Sequence, residues 1–162
     1  MTRSTTIPLP SLERLQELFI YDDELKNLVN RITRTNAKAG AIAGSVEVSG
    51  YRRIRVDTVK YQAHRLIWLW HTGIDPLGLL VDHRDQDPTN NCFTNLRLAT
   101  DAQNIINGNR KGYCFYKTSG RWIARLRTNS VSQYLGAYDT EEEARSAYLA
   151  AIREIYGEFC PD

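Results

Sequence analysis

Residues 81–96, VDHRDQDPTNNCFTNL, place an Asp-His pair at the end of a short apolar run and follow it with a loop crowded with Asn and Asp. His83 is one of only three histidines in the chain. A carboxylate beside an imidazole suits phosphodiester hydrolysis. That reaction needs an activated water, neutralisation of the charge building on the phosphate, and help for the departing 3′ oxygen. Histidine exchanges its proton near neutral pH, so His83 is the candidate to take the proton of the attacking water. A hard divalent cation prefers oxygen donors, and Asp82 with the amide carbonyl of Asn104 would supply them, water and phosphate completing the shell. Asn95, on the far side of the loop, can bridge it and hold the histidine's backbone in a positioning role. Asp87, Asn90 and Asn91 read as turn formers.

For these residues to meet, a hairpin must be followed by a helix. Leu79 to Asp82 and Leu96 to Ala99 read as its strands. Thr100 and Gln103 have the capping-box spacing that starts a helix from about Asp101 to Asn107, with Asn104 at the end of its first turn. Upstream, Ser11 caps a short amphipathic helix carrying Leu12, Leu15, Leu18 and Phe19. Leu25 to Thr33 is ambiguous between strand and helix, and Ala37 to Gly44 reads as a loop. Val46 to Val48, Ile54 to Val56 and Val59 to Tyr61 form a meander of short strands with Arg52, Arg53, Arg55, Lys60 and Arg65 along and just beyond it. Ala63 to His71 is a bulky apolar helix ending at Thr72-Gly73. Within it His64 has a structural role, and His71 is a helix-end residue outside the chemistry.

The chain of 162 residues with 42% hydrophobic content can bury a core and make one domain or two small ones. Its longest apolar window, Leu66 to Trp70, is too short to span a bilayer, and MTRSTTIPLP lacks the apolar stretch of a signal peptide. An intracellular protein without membrane association is expected. Three cysteines, Cys92, Cys114 and Cys160, include no CxxC pair, so neither zinc nor a disulfide framework is expected, and they read as small buried residues. The net charge of +2 is uninformative, but its distribution is not. Six Lys or Arg and no acid lie from Arg110 to Arg127, whereas four acids fall within residues 139–143.

Beyond Gly108-Asn109 a second unit begins. In GRWIARLRTN, Arg121, Ile123, Arg125 and Arg127 share one strand face, and Trp122, Ala124 and Leu126 share the other. The latter can rest on a helix that Thr140 and Glu143 cap and that Ala144, Ala147, Tyr148, Ala151, Ile152 and Ile155 pattern. Lys117 and Tyr134 extend the arginine face. Such a surface is either a solvated sheet face or one that fits a DNA major groove.

The ordered series HRLIW (64–68), VDH (81–83), NNCFTNLRLAT (90–100) and QN (103–104) resembles the HNH endonucleases of phage and intron homing type, over about Leu12 to Asn107. The resemblance implies a ββα-metal fold that cuts or nicks DNA with one divalent metal. His83 would be the general base, Asp82 and Asn104 the metal ligands, and Asn95 the structural asparagine. Asn104 stands where some branches have His. KTSGRWIARLR followed by YLGAYDTEEEARSAYLAA resembles the Apetala-type DNA-binding domain of plant ethylene-response factors, from about Gly112 to Phe159. It implies a three-stranded antiparallel sheet on one helix, docked in the major groove, with Arg121, Arg125, Arg127 and Tyr134 on DNA-contacting positions. Arg125 replaces a usual acid and Tyr134 the second-strand tryptophan, so the plant target sequence does not transfer.

The fold expected is therefore α+β: a ββα-metal nuclease domain over residues 1–108, then a three-stranded antiparallel sheet packed on one helix over 109–162. The partner is double-stranded DNA, contacted by Lys117, Arg121, Arg125, Arg127 and Tyr134, with Arg53 and Arg55 adding backbone contacts beside the active site. The cofactor is Mg²⁺ or Mn²⁺, with no zinc and no small-molecule cofactor, and the chain acts as a monomer or weak dimer. A catalytically inactive DNA-binding regulator and a structural role in a phage particle are the rival readings.

Overall fold

The computed structural model describes residues 7–107, 111–128 and 131–160. Among the described residues, four α-helices and several small antiparallel sheets fall into two compact units, Met1–Ala99 and Thr100–Asp162. The division falls ahead of the one expected at 108/109.

In the first unit, helix α1 (Leu12–Leu18) begins where the Ser11 side chain accepts a hydrogen bond from the Arg14 backbone N–H at 3.2 Å, and it buries Leu15 and Leu18. It runs directly into strand β1 (Phe19–Asp22), which pairs with β2 (Asn27–Asn30). The segment that was ambiguous in sequence is thus a strand, and all four of its residues are buried. A strand covered on both faces shows no period-two alternation, which is why its pattern did not declare itself. Strands β3 (Ser45–Val46), β4 (Arg52–Val56) and β5 (Val59–Gln62) form the meander in the order β3-β4-β5.

Helix α2 (Ala63–Thr72) buries Ala63, His64, Leu66, Ile67 and Leu69. It stops at Gly73, whose φ of 70° is open to glycine at little cost and whose N–H closes on the Leu69 carbonyl. Strand β6 (Leu80–His83) pairs with β7 (Leu96–Ala99) in a register that sets Asp82 opposite Arg97 and His83 opposite Leu96. Between them a one-turn 3-10 helix spans Phe93–Asn95. Leu15, Phe19, Leu28, Ile54, Leu66 and Ile67 lie at the centre of this unit's core.

The second unit opens with α3 (Asp101–Asn107), started as expected by Thr100 and Gln103, each bonding the other's backbone or side chain. Strands β8 (Tyr113–Tyr116), β9 (Arg121–Thr128) and β10 (Val131–Tyr138) make an antiparallel sheet in the order β10-β9-β8, and α4 (Glu141–Tyr156) packs on it. The Thr140–Glu143 capping box is complete. Leu126, Tyr148 and Ile152 form a core that Ile106 of α3 joins. That contact explains why α3 counts with the second unit. Gly112 lies so close to Tyr148 that a Cβ there would stand 1.9 Å from the ring, so no larger residue fits without displacing it.

Candidate functional site

The end of β6 holds Asp82 and His83 side by side, 7% and 4% exposed. A carboxylate taken out of water needs a partner. Asp82 has one in Arg97, 5% exposed across the hairpin, whose Nε donates to Oδ2 at 3.0 Å. His83 lies in a nest of rings and amides. The His64 ring meets it edge to face at 5.0 Å, Tyr51 lies 6.0 Å away, and Nε2 is 3.2 Å from Oδ1 of the fully buried Asn91.

Asn95 ties the loop shut. Its backbone carbonyl accepts from the Arg84 N–H at 2.9 Å and its Oδ1 from the Asp85 N–H at 3.2 Å, so both peptide groups that follow His83 are held by one residue. Its amide N–H₂ donates to Asp85 Oδ1 and to the Asn90 carbonyl. Partial burial alone would raise the Asp85 carboxyl, but donation from Asn90, the Asp87 backbone and Asn95 outweighs it and holds the group below the usual carboxylate range. The turn chemistry expected of Asp87 is present, its carboxylate accepting from both N–H and O–H of Thr89, and Asp85 makes a further Asx turn by accepting from the Asp87 N–H.

Asn104 is half-buried on α3, where its N–H continues the helix from Thr100. It is described within the second unit, so the structure brings together Asp82, His83 and Asn95 of the expected set. Among the described residues no three His, Cys, Asp or Glu side chains cluster to hold a metal ion.

Burial of His64 pushes its imidazole down to about 3, with the neighbouring His83 and Arg65 acting in the same direction. The unfolded chain therefore binds this proton first as pH falls. The stability contributed by neutral His64 is complete above the ordinary imidazole value and is lost on acidification towards the folded value, by up to about 1.4 kcal/mol per pH unit. Urea denaturation across this window is expected to show the loss, and His64→Phe to flatten it. Parallel profiles for the two proteins would remove His64 as the cause.

The basic residues divide into engaged and exposed. Arg53 pairs with Glu47 at 3.1 Å, and Arg55 is exposed opposite Lys60. On β9 the alternation holds: Arg121, Arg125 and Arg127 are exposed while Ala124 and Leu126 are buried. Arg121 is paired with Asp139 at 3.0 Å. Tyr134 is exposed opposite Arg125, and Lys117 lies exposed in the β8–β9 turn. The cysteines correct the expectation of burial: Cys114 is exposed and the other two are half-buried. Cys114 pairs in register with Ile123, which puts it on the arginine side of the sheet.

Two residues of the site were missed in sequence. Asn91 read as turn chemistry, and only its doubling with Asn90 hints at a second role. Arg97 was one letter of a motif, although a cation directly opposite a buried strand carboxylate is the pairing such a carboxylate requires.

Residues 61–105 match the family model described as HNH endonuclease, so an HNH domain is present in this segment. A protein of Acanthamoeba polyphaga mimivirus, described as an uncharacterized HNH endonuclease, is 35% identical over 116 residues, which is 68% of this chain. The chain spans 61% of that relative's length. No solved structure gives a significant match. No helix among the described residues is long and apolar enough to cross a membrane.

Proposed function

We propose that the protein is a DNA endonuclease of the homing type, which hydrolyses phosphodiester bonds of double-stranded DNA at a recognised site with one divalent metal ion and His83 as general base. The observation that carries this reading is the buried Asp82-His83 pair at the end of β6, inside the segment that matches the HNH model. His83 accepts the proton of the attacking water, Asn95 holds the peptide groups beside it, and Arg97 orients the Asp82 carboxylate. Asp82 and Asn104 would hold Mg²⁺ or Mn²⁺. Such an ion, when bound, neutralises phosphate charge and assists the departing oxygen.

The second unit acts as the recognition module, of the Apetala type, laying its β8–β10 sheet on the major groove. Arg125, Arg127 and Tyr134 carry the contact, Lys117 extends it, and Arg121 joins by exchanging Asp139 for phosphate or base. Arg53 and Arg55 add backbone contacts. A module tethered to the nuclease raises its effective concentration at the chosen site, which supplies the selectivity that a reaction on the backbone lacks. Replacing Arg125 and Arg127 together with Ala is expected to weaken binding and to reduce the slope of log affinity against log salt by about 2. An unchanged slope in gel shifts at graded salt would take them off the contact surface.

The test of the activity incubates purified protein with supercoiled plasmid in Mg²⁺ or Mn²⁺, beside EDTA. Conversion to open-circular or linear forms, lost in EDTA, is expected. No conversion in either metal, with DNA still shifted in a gel, would replace the nuclease by a DNA-binding regulator on the same scaffold.

A further inference from the structure

We infer that Asn27 and Asn91 form a polar relay that fixes His83 in the tautomer with its proton on Nε2, and so assigns Nδ1 as the atom that takes the proton from water. The inference rests on His83 being the base, and it adds which nitrogen acts and what selects it.

The argument starts from a group with one possible role. A backbone carbonyl only accepts, so the side-chain nitrogen of Asn27, 3.0 Å from the Leu25 carbonyl, must be its Nδ2 donating. That sets the amide, and Oδ1 of Asn27 faces Asn91, accepting from its Nδ2 at 3.3 Å. Asn91 is in turn set, and it presents Oδ1 to His83 Nε2 at 3.2 Å. An amide oxygen has no proton to give. In a neutral imidazole one nitrogen donates and the other accepts, so Nε2 carries the hydrogen and Nδ1 the lone pair.

Neither asparagine can turn over without loss. Flipping Asn91 sets its oxygen against that of Asn27, and flipping Asn27 to relieve this sets its oxygen against the Leu25 carbonyl. All three side chains are buried, Asn27 at 8%, Asn91 at 1% and His83 at 4% exposure. Water therefore does not make good a reversed amide, and each mismatch leaves a buried polar atom unsatisfied. Asn27 and Asn91 are thus positioning residues, the outer link 64 residues away in the chain from the inner. A second-layer partner that sets the tautomer of a working histidine is a recognised physical device.

The test is a long-range proton–nitrogen correlation spectrum of the full chain with isotope-labelled histidine, at alkaline pH where an ordinary imidazole is neutral. His83 is assigned by the signals lost in His83→Ala. The wild type is expected to show a protonated Nε2 and an unprotonated Nδ1. Asn91→Leu, which removes the acceptor at similar volume, is expected to populate the other tautomer and to lower kcat by about 10- to 100-fold with KM unchanged. A wild-type ring protonated on Nδ1 overturns the relay, and this reading needs no variant to fold. A rate loss in Asn91→Leu with the tautomer unchanged overturns it as well. Should the wild-type pattern be as assigned while His83→Ala still cuts as fast as wild type, the base assignment fails and the relay stands.

Discussion

His83→Ala is expected to lower the metal-dependent plasmid cleavage rate by about 10²- to 10⁴-fold, the usual worth of a positioned general base, while DNA binding in a gel shift is retained. The two readouts separate because the arginine face of β9 lies on the second unit and His83 on the first. Added imidazole should recover part of the rate, since the cavity left by the ring is bounded by Asn91 and His64 and matches the missing group. A variant that cuts within a few-fold of wild type would show that another group takes the proton. Equal loss of cutting and binding would make His83 a residue of folding, not of chemistry.

Arg97→Met is expected to destabilise the fold by about 3–5 kcal/mol, because it leaves the Asp82 carboxylate buried opposite an apolar side chain. The comparison that isolates the pair is Asp82→Asn with Arg97→Met together. With no charge left to solvate, the double variant is expected to be clearly more stable than Arg97→Met alone, although inactive if Asp82 holds the metal. Urea unfolding of the three proteins measures this. An Arg97→Met protein as stable as wild type would mean that the carboxylate reaches water or another cation, and the pair would lose its place in the site.

The elements most legible in sequence are those set by local rules. Gly73 ends α2, Thr140 and Glu143 open α4, and the period-two pattern of β9 sorts arginines from core residues, all from neighbours in the chain. The Asp82-His83 pair and the loop turns were legible for the same reason. What stayed hidden depends on distant residues. Strand β2 is covered on both faces by segments far from it in sequence, so it has no alternation to read. Asn91 looks like any turn asparagine until Asn27 and His83 are brought to it. Cys114 was expected in the core from the general burial of free cysteine, whereas its face is decided by the register with β9.

Ile106 has a consequence for how such a protein can be assembled from parts. It lies one position beyond the segment that matches the HNH model, yet it packs with Leu126, Tyr148 and Ile152. Residues 100–105 thus belong by likeness to the HNH segment and by packing to the unit that follows. Helix α3 is therefore the element that both divisions claim. An exchange of the C-terminal sheet and helix cut at 108/109 would discard the apolar seat of the helix that carries Asn104. A workable graft has to carry α3 along with the incoming sheet, or rebuild a socket for Ile106.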